Sequence, residues 1–271
     1  MSKETVTLNN GVEIPLVGLG TWDLRGKECV ETVSTAINLG YRLIDTAQMY
    51  DNEREVGEGI RKSGIARAEL FVTTKLYRIS NSYEKAKRDF ERSLEDLQLS
   101  YVDLLLLHEP YPEGPEMYCA LEEALREGKA RAIGISNYDE NWYCNFLNQC
   151  DIVPAVNQLE THVFFQKWEF QQYMKEHGTV MQAWAPLAQG IGNVAGNATL
   201  AKIGEKYKKS AAQVALRFLV QRGIPVIPKS RHKERLKENM ALFDFSLSEE
   251  DVSEIRGLDR NDTLFPWTKE F

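Results

Sequence analysis

Short, nearly continuous apolar runs alternate along the chain with longer stretches whose apolar residues recur three and four positions apart. The short runs predict eight strands: LVGLG (16–20), YRLID (41–45), LFVTTK (70–75), VDLLLLH (102–108), ARAIGIS (130–136), PAVNQLE (154–160), TVMQAWA (179–185) and IPVIPK (224–229). The longer stretches predict helices. KECVETVSTAINLG ends at Gly40, a residue suited to a helix C-cap. Asn52-x-x-Glu55, Ser210-x-x-Gln213 and Ser248-x-x-Asp251 have the form of capping boxes. EMYCALEEALREG and AAQVALRFLVQRG each run into a glycine. A helix in every gap requires parallel neighbouring strands joined by right-handed crossovers. Strands covered by helices outside and filled by side chains inside lack polar alternation, as these do. The pattern predicts an α/β fold, a closed (β/α)8 TIM barrel.

Such a barrel needs about 250 residues, so one domain over residues 1–271 uses nearly the whole chain. Ahead of it, VTL (5–7) and VEI (12–14) flank Asn9, Asn10 and Gly11, which predicts a β-hairpin within residues 1–15 that caps the barrel bottom. Two segments lie outside the repeat: the polar loop 187–197, LAQGIGNVAGN, and the tail 260–271. The loop's Gly190-x-Gly192-xxx-Gly196 follows Pro186 and a polar stretch, not a strand running into a helix, so it predicts a flexible loop and not a dinucleotide fingerprint.

Composition narrows the function classes. The chain is 43% hydrophobic and 27% charged, which excludes disorder and supplies a core. With 33 Lys+Arg against 40 Asp+Glu, the net charge of −7 argues against a general nucleic-acid binder. No apolar run approaches the roughly 18 residues of a membrane span, and MSKETVTLNN has no apolar signal segment. Cys29, Cys119, Cys144 and Cys150 form no CxxC pair, as expected of scattered thiols in a reducing, cytoplasmic setting.

In barrels of this kind reactive groups sit at the C-terminal strand ends. Here those ends carry Asp45 with Tyr50 soon after, Lys75, His108-Glu109, Ser136-Asn137, Asn157-Gln158-Leu159-Glu160, Trp184-Ala185-Pro186 and Lys229-Ser230. Each alone has an ordinary structural use, as a helix cap, a surface charge or a packed ring. Several converging on one rim point to a site.

The motifs GLGTW (18–22), DTAQMYDNEREVGEGI (45–60), TTKL (73–76), LLLLH (104–108), GISN (134–137), NQLE (157–160), PVIPKS (225–230) and ERLKEN (234–239) together resemble the aldo-keto reductase superfamily. AWAPL (183–187) and the short tail are similar to the bacterial branch that includes 2,5-diketo-D-gluconate reductases. The resemblance implies NADPH-dependent reduction of aldehydes and ketones by a monomer acting on a small carbonyl substrate, without metal. It carries the catalytic tetrad onto Asp45, Tyr50, Lys75 and His108. A phenol has a pKa of about 10 in water; an adjacent Lys75 ammonium is expected to make Tyr50 a stronger acid, with Asp45 holding the lysine and His108 orienting the carbonyl. For the cofactor it implies Gly20, Thr21 and Trp22 at the first strand end, Asp45, and Ser136, Asn137 and Gln158 on the carboxamide. Trp184 would stack on the nicotinamide, with Ala185, Pro186, Leu187, Gln189 and Gly190 beside it and toward the pyrophosphate. Lys229, Ser230 and Arg235 would surround the 2′-phosphate, with Glu238 and Asn239 near adenine. For the substrate it implies Trp22, Tyr50, Tyr77, His108 and Glu109.

Glu109 and Tyr77 stand where many relatives carry Trp. A Glu109 lining the pocket is expected to disfavour anionic substrates and to raise the pKa of His108. Two other readings compete. A metal-dependent barrel hydrolase or isomerase would use Asp45, His108, Glu109, Glu160 and His162 as ligands, but leaves Lys75 and Tyr50 unexplained. A cofactor-binding subunit with little turnover is opposed by the intact tetrad. Phe265, Pro266 and Trp267 in the tail either close over the pocket or dock on the barrel.

Overall fold

The computed structural model describes residues 4–269. Strands β1 (Thr5–Thr7) and β2 (Glu13–Pro15) pair antiparallel as the predicted hairpin. The barrel follows as β3 (Gly18–Gly20), β4 (Leu43–Asp45), β5 (Phe71–Leu76), β6 (Val102–Leu107), β7 (Ala130–Ser136), β8 (Val156–Glu160) and β9 (Val180–Trp184), all parallel and in chain order. Ten helices are interleaved with and follow these strands among the described residues: α1 (Gly26–Asn38), α2 (Glu53–Ser63), α3 (Tyr83–Leu97), α4 (Gly114–Arg126), α5 (Glu140–Leu147), α6 (Trp168–Glu176), α7 (Ala198–Tyr207), α8 (Ala211–Gln221), α9 (Lys233–Met240) and α10 (Glu249–Arg256).

The eighth predicted strand, 224–229, forms no regular ladder, and the reason is local. Pro225 and Pro228 have no N–H to give. Val226 alone bridges both neighbours, Val17 on one side and Ala183 on the other. Its N–H reaches Leu16 at 2.9 Å and its carbonyl receives Gly18 at 2.8 Å, so the barrel is still closed. Gly20 lies on this seam: a Cβ there would stand 2.7 Å from the Ile227 carbonyl oxygen, so only glycine lets the two backbones approach.

Alternation along the strands sorts the barrel interior into two storeys. In the lower one, Leu43, Phe71, Leu104, Leu106, Ala132, Val156 and Ile227 pack with Leu8 and Ile14 of the hairpin, which therefore plugs the bottom. Asn9 and Asn10 fasten it by donating to the carbonyls of Val153 and Arg131. Two or four residues further along the same strands, the inward positions become Asp45, Lys75, His108, Ser136 and Gln158, all buried. A larger apolar core fills the shell between barrel and helices.

Two of the three predicted capping boxes form, at Ser210 with Gln213 and at Ser248 with Asp251. Asn52 makes no cap. Its side chain instead accepts from Thr46 at 2.7 Å and donates to the carbonyls of Thr21 and Leu24 at 2.9 and 3.0 Å, tying the first two strand ends together.

Glu53 is buried beside this knot, accepting from Thr74 and Ser93 at 2.5 and 3.1 Å. Burial pushes its carboxyl from 4.5 up to about 7. The unfolded chain thus releases this proton first as pH rises, and the group's contribution to stability falls from about pH 4.5 through about pH 7. Above pH 7 the cost is on the order of 3 kcal/mol. A Glu53→Gln variant is expected to melt several degrees above the wild type at pH 8, with the gap closing toward pH 5. Thermal melts at the two pH values check this; a gap independent of pH would contradict it.

Candidate active site

The polar storey centres on Lys75, which β5 places inside the barrel with no exposed surface. Its ammonium has three N–H groups and finds three acceptors: Asp45 Oδ1 at 2.5 Å, the Thr46 carbonyl at 2.9 Å and Tyr50 Oη at 3.3 Å. Asp45, on the neighbouring strand, accepts at its other oxygen from Gln158 Nε2 at 2.7 Å, and the same amide donates to Gln182 Oε1 at 2.9 Å. Burial alone would pull the Lys75 ammonium down; Asp45 and Tyr50 outweigh it and hold the ammonium above its ordinary value. Asp45 is pushed up by its own burial, against the pull of Lys75.

Tyr50 sits in the short turn after β4. Its oxygen accepts from Lys75, and no described residue accepts its hydroxyl hydrogen. Lys75 does pull this phenol toward stronger acidity, as expected, but burial sets the net balance. Enclosure of the hydroxyl raises Tyr50 above its ordinary value, with Asp45 and Glu109 adding to the rise; the attraction of Lys75 offsets only part. Tyr50 is thus held protonated.

His108 packs its ring edge-on against Tyr50 with centroids 5.5 Å apart, and Tyr77 lies 6.3 Å away on another side. The expected rise of His108 through Glu109 is corrected. Burial, with Lys75 second, lowers it well below the usual imidazole value, so the ring is neutral. Its Nδ1 is buried without a partner. Glu109 is half-buried and receives the Tyr111 hydroxyl at 3.1 Å. Trp22 meets Tyr50 at 5.1 Å and is 43% exposed, which places it at the mouth.

Across the rim, Ser136 Oγ donates to the Gln158 carbonyl at 2.9 Å and Asn137 Nδ2 to the His108 carbonyl at 3.0 Å. Trp184 Nε1 donates to Asn137 Oδ1 at 2.8 Å, which fixes the plane of a partly exposed indole. Asn137 and Ala185 have φ of 64° and 47°, and Ala188, Gln189 and Gly190 continue in the left-handed region. Strained backbone of this kind clusters at binding sites. The loop 187–197 forms two 3₁₀ turns, in keeping with the loop reading of its glycines.

Other predicted cofactor residues are placed as follows. Thr21 gives its hydroxyl to the Asp45 carbonyl at 2.9 Å. Ser230 holds the backbone before α9, accepting from the His232 N–H at 3.1 Å. Lys229 lies 3.6 Å from Asp23. Arg235 is exposed in α9 and makes no ion pair among the described residues. Glu238 accepts from Ser210 and is thereby turned to the start of α8. Asn239 is buried.

Residue spacing gave no sign of the tail's anchor. Glu160 ends β8 and gathers three donors: His162 Nε2 and the Leu264 N–H, both at 2.9 Å, and the Thr263 hydroxyl. The N–H of Phe164 donates to His162 Nδ1 at 3.2 Å, so both ring nitrogens are engaged. Glu160 and His162 are therefore engaged with each other and the tail, not gathered with Asp45 and His108 as a ligand set. The tail docks on the rim. Phe265 is buried edge-on to Trp184 at 5.0 Å, and Trp267 stacks on Trp184 at 5.6 Å and 19°. Residues 270–271 lie outside the described residues.

An aspartate–lysine–tyrosine chain with a neutral histidine beside it lies at one end of the barrel. Residues 16–260 match the Aldo/keto reductase family. The chain belongs to the aldo/keto reductase family. Its similarity to individual members runs over nearly the full length. It is 44% identical to glyoxal reductase of Bacillus subtilis, covering 97% of this chain and 96% of that protein. It is 40% identical to morphine 6-dehydrogenase of Pseudomonas putida, covering 96% and 93%. Among solved structures, an aldo-keto reductase from a Medee basin deep-sea metagenome library superposes with a TM-score of 0.93 at 41% identity, covering 96% of this chain and 97% of that one. Bacterial family members are thus among its near relatives, and the eightfold barrel is common to its structural neighbours. As an aldo/keto reductase family member it is an oxidoreductase of carbonyl chemistry, in a family that generally uses a nicotinamide cofactor. No helix among the described residues is long and apolar enough to cross a membrane.

Proposed function

We propose that this protein reduces aldehydes and ketones to alcohols with NADPH, Tyr50 delivering the proton. The observation that carries the reading is the Lys75 ammonium, which occupies the lone-pair side of Tyr50 Oη at 3.3 Å while the phenolic hydrogen remains unclaimed. When bound, the reduced nicotinamide supplies the hydride. As negative charge develops on the carbonyl oxygen, Tyr50 donates its proton there, and the phenolate left behind is stabilised by Lys75. Asp45 keeps that ammonium charged and in place. Neutral His108 orients the carbonyl oxygen by hydrogen bonding. A protonated Tyr50 suits this direction, because a donor must hold its proton until the alkoxide forms.

The residues present fit such a cofactor. Trp184 presents a partly exposed indole braced by Asn137, with Trp267 stacked on it and Phe265 edge-on to it. Ser136, Asn137 and Gln158 bring amide and hydroxyl groups to the same rim. Arg235 offers an exposed guanidinium with no described acidic partner, and guanidinium forks match phosphate oxygens.

Absorbance of reduced nicotinamide across a panel of aldehydes tests the reading, with Tyr50→Phe as control. For Arg235→Ala, the ratio of kcat/KM with NADPH to that with NADH is expected to fall by about tenfold or more, the loss of one charge-assisted phosphate contact. An unchanged ratio would remove Arg235 from the phosphate role.

A further inference from the structure

On the side of Tyr50 and His108, rings lie beside the Glu109 carboxylate. Tyr77 lies 6.3 Å from both His108 and Tyr111, Trp22 is 5.1 Å from Tyr50, and Tyr111 holds Glu109 through its hydroxyl at 3.1 Å. Aromatic rings beside a carboxylate make an environment of negative charge and quadrupole that holds ammonium groups, and the Arg78 guanidinium already lies over the Tyr77 ring. The nearby cations do not neutralise it. Lys75 is fully engaged with Asp45, Thr46 and Tyr50. Arg78 is exposed, 5.6 Å from the centroid of Tyr77, where solvent screens its attraction for Glu109. Glu109 also adds to the forces that keep Tyr50 protonated, so its charge acts on the reacting centre itself.

We propose that this site selects carbonyl substrates that carry a positive charge, an ammonium or quaternary ammonium group seated against Glu109 among Tyr77, Tyr111 and Trp22. The inference rests on the carbonyl-reductase reading above and names its substrate class. The same arrangement rejects a carboxylate-bearing analogue, because a half-buried like charge costs affinity without a compensating partner.

The test uses three benzaldehydes with para substituents of trimethylammonio, tert-butyl and carboxylate. The first two are nearly the same shape and differ in charge. The measured quantity is the quotient of kcat/KM for the cation over that for the neutral isostere, in the wild type and in Glu109→Gln. Intrinsic reactivity and any general loss of activity cancel in comparing the quotients. Glutamine still accepts the Tyr111 hydroxyl, and circular dichroism confirms the fold. The quotient is expected to fall about tenfold in the variant, while the quotient of anion over neutral rises severalfold. Titration calorimetry with benzyltrimethylammonium adds a readout that needs no turnover, and is expected to show binding to the wild type at least about tenfold tighter than to the variant. A cation quotient unchanged within about twofold, or no preference of the ammonium for wild type over variant, overturns the proposal. If the wild type reduces none of the three aldehydes, the carbonyl-reductase reading fails, and calorimetry still decides whether Glu109 recognises a cation.

Discussion

Lys75→Met is expected to abolish most activity and to destabilise the fold at the same time. Lys75 is completely buried and pairs with an equally enclosed Asp45 at 2.5 Å. Removing one partner of such a pair leaves an uncompensated buried charge, a loss of about 3–5 kcal/mol. In the reaction, the variant also loses the positive charge that stabilises the Tyr50 phenolate, worth a further factor on the order of 10²–10³ in kcat. A double variant, Asp45→Asn with Lys75→Met, separates the two effects. Replacing both charges with groups of similar size is often close to neutral for stability, so chemical denaturation of the double variant is expected to return near the wild-type midpoint while kcat stays low. Recovery of kcat along with stability would mean that the pair is only structural.

The fold could be read from the sequence wherever regular periodicity met ordinary backbone chemistry. The hairpin at Asn9–Gly11, the parallel strands through 184 and the boxes at Ser210 and Ser248 follow from local rules. The eighth strand departs from them because Pro225 and Pro228 remove ladder donors, yet the barrel closes through Val226. Asn52 departs because tertiary partners, Thr46 and the carbonyls of Thr21 and Leu24, outbid the local cap. The convergence of Asp45, Tyr50, Lys75 and His108 was legible because strand ends of a barrel must share a rim. The balance between burial and Lys75 at Tyr50 was not, since spacing carries no measure of solvent exclusion. Nor was the Glu160–His162 anchor of the tail, whose partners lie 103 and 104 residues away at Thr263 and Leu264.

Tyr50→Phe carries the second large effect. The substitution deletes one oxygen and leaves the ring packed between Trp22 and His108, so the site keeps its shape. What is lost is the proton donor, and with it about 10²–10⁴ in rate. Lys75 then has an unfilled third N–H, a modest cost of about 1 kcal/mol that a water relieves. Neutral His108 packs edge-on to the Tyr50 ring, and its lowered basicity means it carries no spare proton near neutral pH. Residual activity is therefore expected to reflect positioning and proton donation by solvent.

Single-turnover kinetics of Tyr50→Phe against the wild type, with NADPH bound beforehand and its binding verified separately, test the central claim most directly. The rate of nicotinamide oxidation on mixing with a neutral aldehyde is predicted to drop by at least about a hundredfold. A rate within a few-fold of the wild type would contradict the assignment of the proton to Tyr50.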